Sequence, residues 1–506
     1  MGHPDDSQAA TSALADAARF LRNRWLLCCG ISALVVTPCF WQRRIEAGDL
    51  ASHVYNAWLA QLIERGQAPG LWIARQWNNV LFDIALSALG NRFGLVVAER
   101  IAVSAAVLVF FWGAFALASA AARRAAWIAA PCLAMVAYGW TFQMGFLNYY
   151  VSLGLAFFGL ALLWRGRGWE RAETLVLVPL IWLAHPLGVV LLVCAGAWVL
   201  VASNVSGRGQ VFAGFAAVLA LVCVRFYILG HYSVFWPTEP RYFFNGADQL
   251  LLYGPRYRLP MILLLALGLL SIVADIVRRR RAGERWIAYA IPAELYCLAL
   301  LTIWLLPAGI ILPRYAAPAG FLHERLSCIC AIFACSVLAG IRPQKWQCAG
   351  LALVAAIYFS YLYVDTAKIN RMEEQAERVV RTIPAGQRVL ATIEPPEGSR
   401  VFIFHIVDRA CIGHCFSYGN YEPGSGQFRV RANPGNRFVT TSMDESFAIQ
   451  RGEYTVQPRD LPLFQIYRCN GSATELCLRE LSAGDVNGRT GLDVKGRVNM
   501  PNRRAQ

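Results

Sequence analysis

Uninterrupted apolar runs dominate the chain between residues 25 and 364. Those at 101–120, 260–277 and 350–364 hold almost no charged position, and several approach the roughly 20 residues that carry a helix across a bilayer. A bilayer interior offers no water to a bare backbone, so a crossing segment must close its hydrogen bonds on itself as helix. A transmembrane barrel would alternate apolar and polar positions, and these runs do not. The pattern predicts helices near 25–42, 101–121, 126–140, 148–164, 174–184, 187–203, 211–229, 259–277, 286–306, 323–341 and 347–364. The expected fold class is an all-α polytopic membrane bundle of about eleven spans.

One stretch needs a decision. Residues 174–202 would reach about 43 Å as helix, whereas two full crossings need roughly 60 Å. A single tilted helix would send the following arginine-rich loop to the opposite side of the membrane. A short hairpin broken at His185-Pro186-Leu187-Gly188, where Pro stops a helix and Gly permits a turn, keeps the charges together. After residue 364 the pattern changes. A helix-like stretch at 367–381 leads to strand-like runs at 388–393, 401–406, 427–432 and 463–467, punctuated by Pro and Gly. Residues 365–506 are expected to form a soluble α/β or mainly β domain. Residues 1–24 are polar, with Asp5, Asp6 and Asp16 and no apolar core ahead of a cleavage site, so they are read as a cytoplasmic segment before a retained first span.

Composition agrees with the pattern. Of 506 residues, 57% are hydrophobic and 16% charged, a balance that soluble globular chains rarely reach. The net charge of +15 invites a nucleic-acid partner, but the arginines sit in short clusters between apolar spans instead of on one basic face, which speaks against it. They report topology instead. Arg278-Arg279-Arg280-Arg281 marks a cytoplasmic loop, and Arg22, Arg24, Arg123, Arg124, Arg165, Arg208 and Arg342 fall on the same side. The loops at 43–100, 138–147, 230–258 and 307–322, together with the tail, are then extracytoplasmic, with a bacterial inner membrane as the expected location. Most of the 15 cysteines fall in predicted helices, where a thiol is a small hydrophobe. Cys411, Cys415, Cys469 and Cys477 lie in the tail, an even number that suits two disulfides in an exported domain. Cys411-x-x-His414-Cys415 leaves a zinc site as the alternative, though the spacing fits no familiar finger.

Candidate chemistry collects on the extracytoplasmic side. After the first span, Leu50, Val54, Trp58 and Leu62 recur at four-residue spacing while Asp49, His53 and Asn56 share the neighbouring face, a helix expected to lie along the membrane surface. Trp58, Trp72 and Trp77 are candidate interfacial anchors. Asp49 is placed either to take a proton from an attacking hydroxyl or merely to cap the following helix. Glu46 and Tyr55 flank it. Near the last loop, Arg314, His323 and Arg325 approach a helix N-terminus, a suitable place for a phosphate, although a structural ion pair with Glu324 or snorkelling would also explain the arginines. His185 is an ionisable group at membrane depth. Arg241 and Arg256 flank a loop with Trp236 and Tyr253, and Tyr418, Asn420, Tyr421 and Glu422 form a polar, aromatic cluster in the tail.

The stretch Gly48-Asp49…His53-Val54-Tyr55, on a long loop after the first helix, resembles the GT-C superfamily of membrane glycosyltransferases. That family includes protein O-mannosyltransferases, lipid A aminoarabinose transferases and oligosaccharyltransferase catalytic subunits. The resemblance implies a polyprenyl-phosphate-linked sugar as donor, a lipid, glycan or protein as acceptor, and a catalytic acid on this loop. Asp49 would then be the base with His53 orienting it, and Arg325, Arg314 and His323 would hold the donor phosphate. Glu46, Tyr55, Asn56, His185, Arg241, Arg256, Tyr418 and Tyr421 are expected to meet substrate, and direct attack implies inversion. Two departures matter. Leu50 follows Asp49, so the Asp-Glu pair of protein O-mannosyltransferases is missing, and residues 139–150 contain no Asp-x-Asp. A divalent metal is therefore disfavoured and no cofactor is expected. The alternative reading is a transporter or lipid flippase, and after it a membrane scaffold.

Overall fold

The computed structural model describes residues 13–166, 168–283, 290–313, 318–393, 395, 398–469 and 475–491. Helix α1 (Ala13–Val36) begins inside the segment expected to be merely polar, and non-helical backbone at Arg24 (φ −133°, ψ 22°) marks where that segment meets the apolar span. The long loop that follows carries α2 (Leu50–Glu64), the short strand β1 (Leu71–Ile73) and α3 (Leu81–Phe93) before α4 (Leu95–Ala122). Then come the short α5 (Ala130–Ala137) and α6 (Trp140–Gln143), α7 (Leu147–Arg165), the single turn α8 (Trp169–Ala172), α9 (Thr174–Ala184), α10 (Pro186–Asn204) and α11 (Arg208–His231). Strand β2 (Ser233–Phe235) leads to α12 (Arg258–Arg281) and α13 (Ala290–Leu305), and β3 (Gly309–Ile311), paired antiparallel with β2, to α14 (Leu322–Ala339) and α15 (Lys345–Val380).

Among the described residues seven helices are long and apolar enough to cross a membrane, and α13 is a shorter apolar one. The centre of the bundle is α4 against α7. They touch backbone to backbone, because a Cβ on Gly113 would stand 2.2 Å from Gly154 O and one on Gly154 would stand 2.8 Å from the Phe110 backbone. Small residues of this kind are what let membrane helices approach closely. Phe110 fills the space beside the contact by stacking on Tyr150 at 4.2 Å. At the other extreme, α11 buries no residue and is apolar on every side, as a helix surrounded by lipid is.

The neighbours of α7 show how α9 and α10 run. Thr174 Oγ1 donates to Gly159 O (3.5 Å), whereas Ile181, one end further along α9, shares the surroundings of Gly188 with Ser152. Along α10 the sequence of contacts reverses, from Ser152 at Gly188 to Leu160 and Leu163 at Gly196. The chain descends and returns beside α7, turning at His185, which is extended (φ −166°, ψ 133°) with Pro186 starting the next helix. This is a hairpin.

The arginine-rich ends of these helices are bound together. Arg278 and Arg279 hold the buried Asp275 (3.0 and 2.6 Å) and donate to Arg342 O (2.8 Å) and Gly340 O (3.1 Å), and Arg124 donates to Ala339 O (3.1 Å). The candidate residues lie at the opposite end.

Helix α15 has 36 residues, about 54 Å at 1.5 Å per residue, so it outruns a bilayer and passes residue 365 without a break. On its projecting end sits the tail, whose sheet runs β5 (Phe416–Ser417), β4 (Arg388–Ala391), β7 (Leu463–Arg468), β8 (Leu476–Leu481) in that order, with β4 parallel to β5 and β7 and β8 antiparallel to β7. Residues 401–406 do not form the expected strand. They lead into α16 (Ile406–Cys411), which is buried throughout, with Ile403 and Ile406 in the core. Cys411–Cys415 and Cys469–Cys477 are disulfides, so the two cysteines flanking His414 are bonded to each other. His414 itself binds Ile383 O (2.9 Å).

The tail also corrects the surface-helix expectation for α2. Strand β6 (Val430–Ala432) pairs antiparallel with β1, Leu71 opposite Ala432, and this closes the tail over the loop. Residues 50–57 of α2 are consequently buried on every face. Trp58 is half-buried against Tyr55 (5.4 Å) and Phe416 (5.8 Å) and does not anchor in lipid, while Trp72 and Trp77 are exposed.

Replacing Gly113 with Val should force α4 and α7 apart and destabilise the bundle by about 1–3 kcal/mol. The measurement is the thermal unfolding midpoint of the detergent-purified protein. An unchanged midpoint would show that the backbone contact carries no weight.

Candidate functional site

Asp49 owes its position to two glycines. A Cβ on Gly48 would stand 2.6 Å from Met144 O, and Gly145 (φ +78°) leaves no room for one against Asp49 N at 2.5 Å. With side chains absent at both positions, the turn before α2 packs flat on the loop before α7, and Asp49 N donates to Met144 O (3.0 Å). Asp49 occupies the N-cap position of α2, yet its side chain makes no capping bond. Its Oδ1 lies 3.3 Å from His405 Nε2, and the side chain remains 25% exposed. The carboxylate is therefore committed on one edge and open on the other.

His405 comes from the tail. Its Nδ1 lies 2.8 Å from Asp408 Oδ2, Ser417 Oγ donates to the other oxygen of Asp408, and the Tyr421 ring packs at 5.3 Å. Burial opposes a charge on this imidazole, but the hydrogen bonds and charges of Asp408 and Asp49 outweigh it and hold the group up to about 10. It is an imidazolium at neutral pH.

His53, expected to orient Asp49, turns instead to Asp83, with Nδ1 2.6 Å from Asp83 Oδ1. Asn148 Nδ2 donates to Asp83 Oδ2 (2.8 Å). Burial again opposes the charge on His53, and Asp83 overrides it, raising His53 to about 9 while Asp83 itself falls below the usual carboxylate range. Beside this pair lies Glu422, 4% exposed. Burial first, and then the charge of Asp83, push it up to about 8, so it is a neutral acid at pH 7, with Oε1 unpartnered among the described residues. Asn56 and Asn420 exchange amide bonds (3.3 and 2.8 Å) next to it.

Arg325, in the first turns of α14, faces the same region. Its guanidinium lies over Phe146 (4.6 Å) and Tyr149 (5.3 Å), and Nη1 reaches His185 Nε2 (3.1 Å) at the hairpin break. The other ring nitrogen of His185, Nδ1, accepts from Leu187 N (3.2 Å). Among the described residues Arg325 has no carboxylate within ion-pair distance, and its buried Nε has no partner. Asp49 and Tyr421 are within electrostatic reach. The expected ion pair with Glu324 is not formed.

The other sequence candidates go elsewhere. Arg314 lies outside the described residues. His323 is buried on Leu306 O (2.8 Å) and the Phe244 ring. Arg241 donates to Trp304 O (2.7 Å) and covers Trp236. Arg256 pairs with Asp365. Tyr418 donates to Asp460 in the core of the tail (2.5 Å), and Tyr55 accepts from Ser417 N (2.9 Å). Glu46 accepts from Asn370 (2.6 Å) and belongs to a buried charge cluster in which Arg409 holds Glu99 (2.7 Å) and Glu373 (3.3 Å). Asp49, His185, Arg325 and Tyr421 are brought together, and His53 and Asn56 border them. His405, Asp408 and Asp83 were not among the candidates, whereas Glu422 belongs to the tail cluster already singled out. The His405/Asp408 spacing of three is a helical signal that the strand-like reading of 401–406 concealed. A cleft of 330 Å³ lined by Arg75, Trp77, Val80, Ile84 and Arg429 opens beside the first turn of α3, where Arg429 binds Asp83 O (2.9 Å).

No protein-family model matches the chain, and no curated protein matches it in sequence. A solved structure does: the chain is similar to the crystal structure of ArnT from Cupriavidus metallidurans in the apo state, with a TM-score of 0.50 and 12% sequence identity, covering 92% of this chain and 99% of that one. Identity this low speaks for the fold and for no individual member. With the long apolar helices, it shows an integral membrane protein whose fold is like that of ArnT.

Proposed function

We propose that this chain is a membrane glycosyltransferase that moves a sugar from a polyprenyl-phosphate donor to a lipid, glycan or protein acceptor at the extracytoplasmic face of a bacterial inner membrane. One observation carries the reading. An open carboxylate, Asp49, and a part-buried arginine that has no anion among the described residues, Arg325, face one region at the end of the bundle remote from the arginine-rich loops. A guanidinium taken from water without a counter-charge is costly, and a phosphate supplies the missing charge in bidentate geometry. The break between α9 and α10 at His185 lets a lipid headgroup approach from the membrane.

In this reading Asp49 removes the acceptor hydroxyl proton, the acceptor oxygen bonds to the anomeric carbon with inversion, and the polyprenyl phosphate leaves with its charge on Arg325. The role first given to His53 falls away. The pair His53–Asp83 and the neutral Glu422 instead form the polar wall beside Asp49, with Oε1 of Glu422 buried and unpartnered among the described residues. Because Asp49 and Asp83 are each engaged by a histidine, the proposed reaction does not rely on a divalent metal. Orientation follows the arginine clusters, with about eleven spans and the two disulfides in an oxidising compartment.

A flippase or transporter would use the same arginine and the same broken helix to bind a lipid phosphate without making a bond. Transfer separates the two. Purified protein incubated with radiolabelled polyprenyl-phosphate sugars and a membrane-lipid acceptor extract should label the acceptor, and Asp49→Asn should lower the rate on the order of 100-fold or more. Undiminished transfer by Asp49→Asn would remove Asp49 from its role. Independently, Arg325→Ala should weaken binding of unlabelled polyprenyl phosphate about 10- to 100-fold, read by displacement of a fluorescent prenyl phosphate. Unchanged affinity there would move the phosphate site elsewhere.

A further inference from the structure

We propose that the C-terminal domain completes the reaction site, with His405 and Asp408 acting as the positioning pair that holds one oxygen of Asp49 fixed so that the other meets the acceptor hydroxyl. The inference rests on the transfer reading above and adds to it a part for the tail.

The geometry is specific. His405 joins two carboxylates from distant parts of the chain, Asp49 Oδ1 on Nε2 (3.3 Å) and Asp408 Oδ2 on Nδ1 (2.8 Å). A histidine serving only to pack would need one partner, and the second here is the group that stays open to solvent. Asp408 is itself held, by Ser417 Oγ, while Ser417 N donates to Tyr55 OH on α2 (2.9 Å). The pair is thus locked both to the tail sheet and to the helix that Asp49 precedes. Charge also fits. One imidazolium between two carboxylates leaves a net negative charge on the three groups, located at the open edge of Asp49, where a proton is to be taken up. The remaining titratable groups facing His405 among the described residues are Tyr421 and, across a small cavity bordered by Gly48 and Ile403, Glu46, Tyr253 and Glu373.

In the step itself the acceptor O–H breaks and its proton goes to the free oxygen of Asp49, as the acceptor oxygen bonds to the anomeric carbon and the bond to phosphate breaks with its electron pair on the leaving group. His405 keeps both of its protons throughout. Asp49 then releases its proton to water through its exposed edge. His405 is consequently required charged. Its imidazolium persists below the raised value of about 10 and is lost as the pH rises through it, and removing Asp408 takes away the strongest support for that charge.

The test uses full-length protein in proteoliposomes with a radiolabelled polyprenyl-phosphate sugar and the acceptor extract. His405→Ala should lower kcat on the order of 100-fold while leaving the donor KM within about threefold, because a misplaced base slows chemistry more than binding. His405→Gln, whose amide can still donate to Asp49, should recover part of the loss. Asp408→Asn should bring the alkaline fall of kcat/KM, expected near pH 10 in wild type, down by about one unit or more. A folded His405→Ala with wild-type kcat, or an alkaline limb in Asp408→Asn superimposed on that of wild type, overturns the positioning role and leaves the transfer reading intact. If His405→Ala does not fold, the Asp408→Asn limb decides alone. Wild-type protein that transfers from no donor overturns the transfer reading and this proposal with it.

Discussion

The arrangement depends on one buried cation. Arg409 sits on α16 among Glu99 of α4, Glu373 of α15 and the carbonyl of Ile45, all within 3.3 Å. It joins the tail, the bundle and the loop before α2 in a single contact. An arginine at such a place cannot be left alone, since taking its charge out of water costs several kcal/mol unless carboxylates and carbonyls replace the solvent. The carboxylates need it equally. Glu46 is pushed well above its usual range by burial and by Glu373, and a cluster of three glutamates without Arg409 would repel itself apart. Because His405 immediately precedes the short helix that carries Arg409, the docking that satisfies the arginine also delivers the histidine to Asp49.

The opposite end of the bundle is built in a different way. There Asp275 takes Arg278 and Arg279, and the guanidinium groups reach out to the carbonyls at the end of α14 and start of α15. Both of these cations have an anion and a carbonyl. The end that carries Asp49 differs, because among the described residues the Arg325 guanidinium meets aromatic faces and the His185 imidazole and no carboxylate. Proteins tolerate such imbalance where a ligand restores it. The surrounding groups reinforce the contrast, for His53 and His405 are each matched to a carboxylate, and Glu422 avoids charge by keeping its proton.

Much of this was legible beforehand in one dimension only. Apolar run length locates the helices, because lipid removes every alternative to internal backbone bonding, whereas the turn at His185 is read from Pro186, Gly188 and the placement of the arginines. Periodicity misleads where a polar face meets protein in place of water. Asp49, His53 and Asn56 lie on one side of α2 as the spacing indicates, but that side is covered by the tail, so a helix read as lying on the membrane surface is interior. The run at 401–406 has strand-like residues and still leads into α16, since its apolar side chains are drawn into the core and the local preference is overridden. Likewise no pattern marks the end of the bundle at 365, because a helix that leaves the membrane keeps its hydrogen bonds and needs only to change its side chains.

Sequence alone determined that the chain is a helical membrane protein, where its apolar helices lie and which ends carry the arginines, and it put Asp49 and Arg325 among the candidate groups. Those properties are local, set by a hydrocarbon solvent that reads each segment in turn. The pairing of groups hundreds of positions apart was decided by tertiary structure: His405 with Asp49, His53 with Asp83, Arg409 with Glu99. Electrostatic partners are chosen by distance in space and by the absence of competing water, and neither quantity is written in the spacing of residues along the chain.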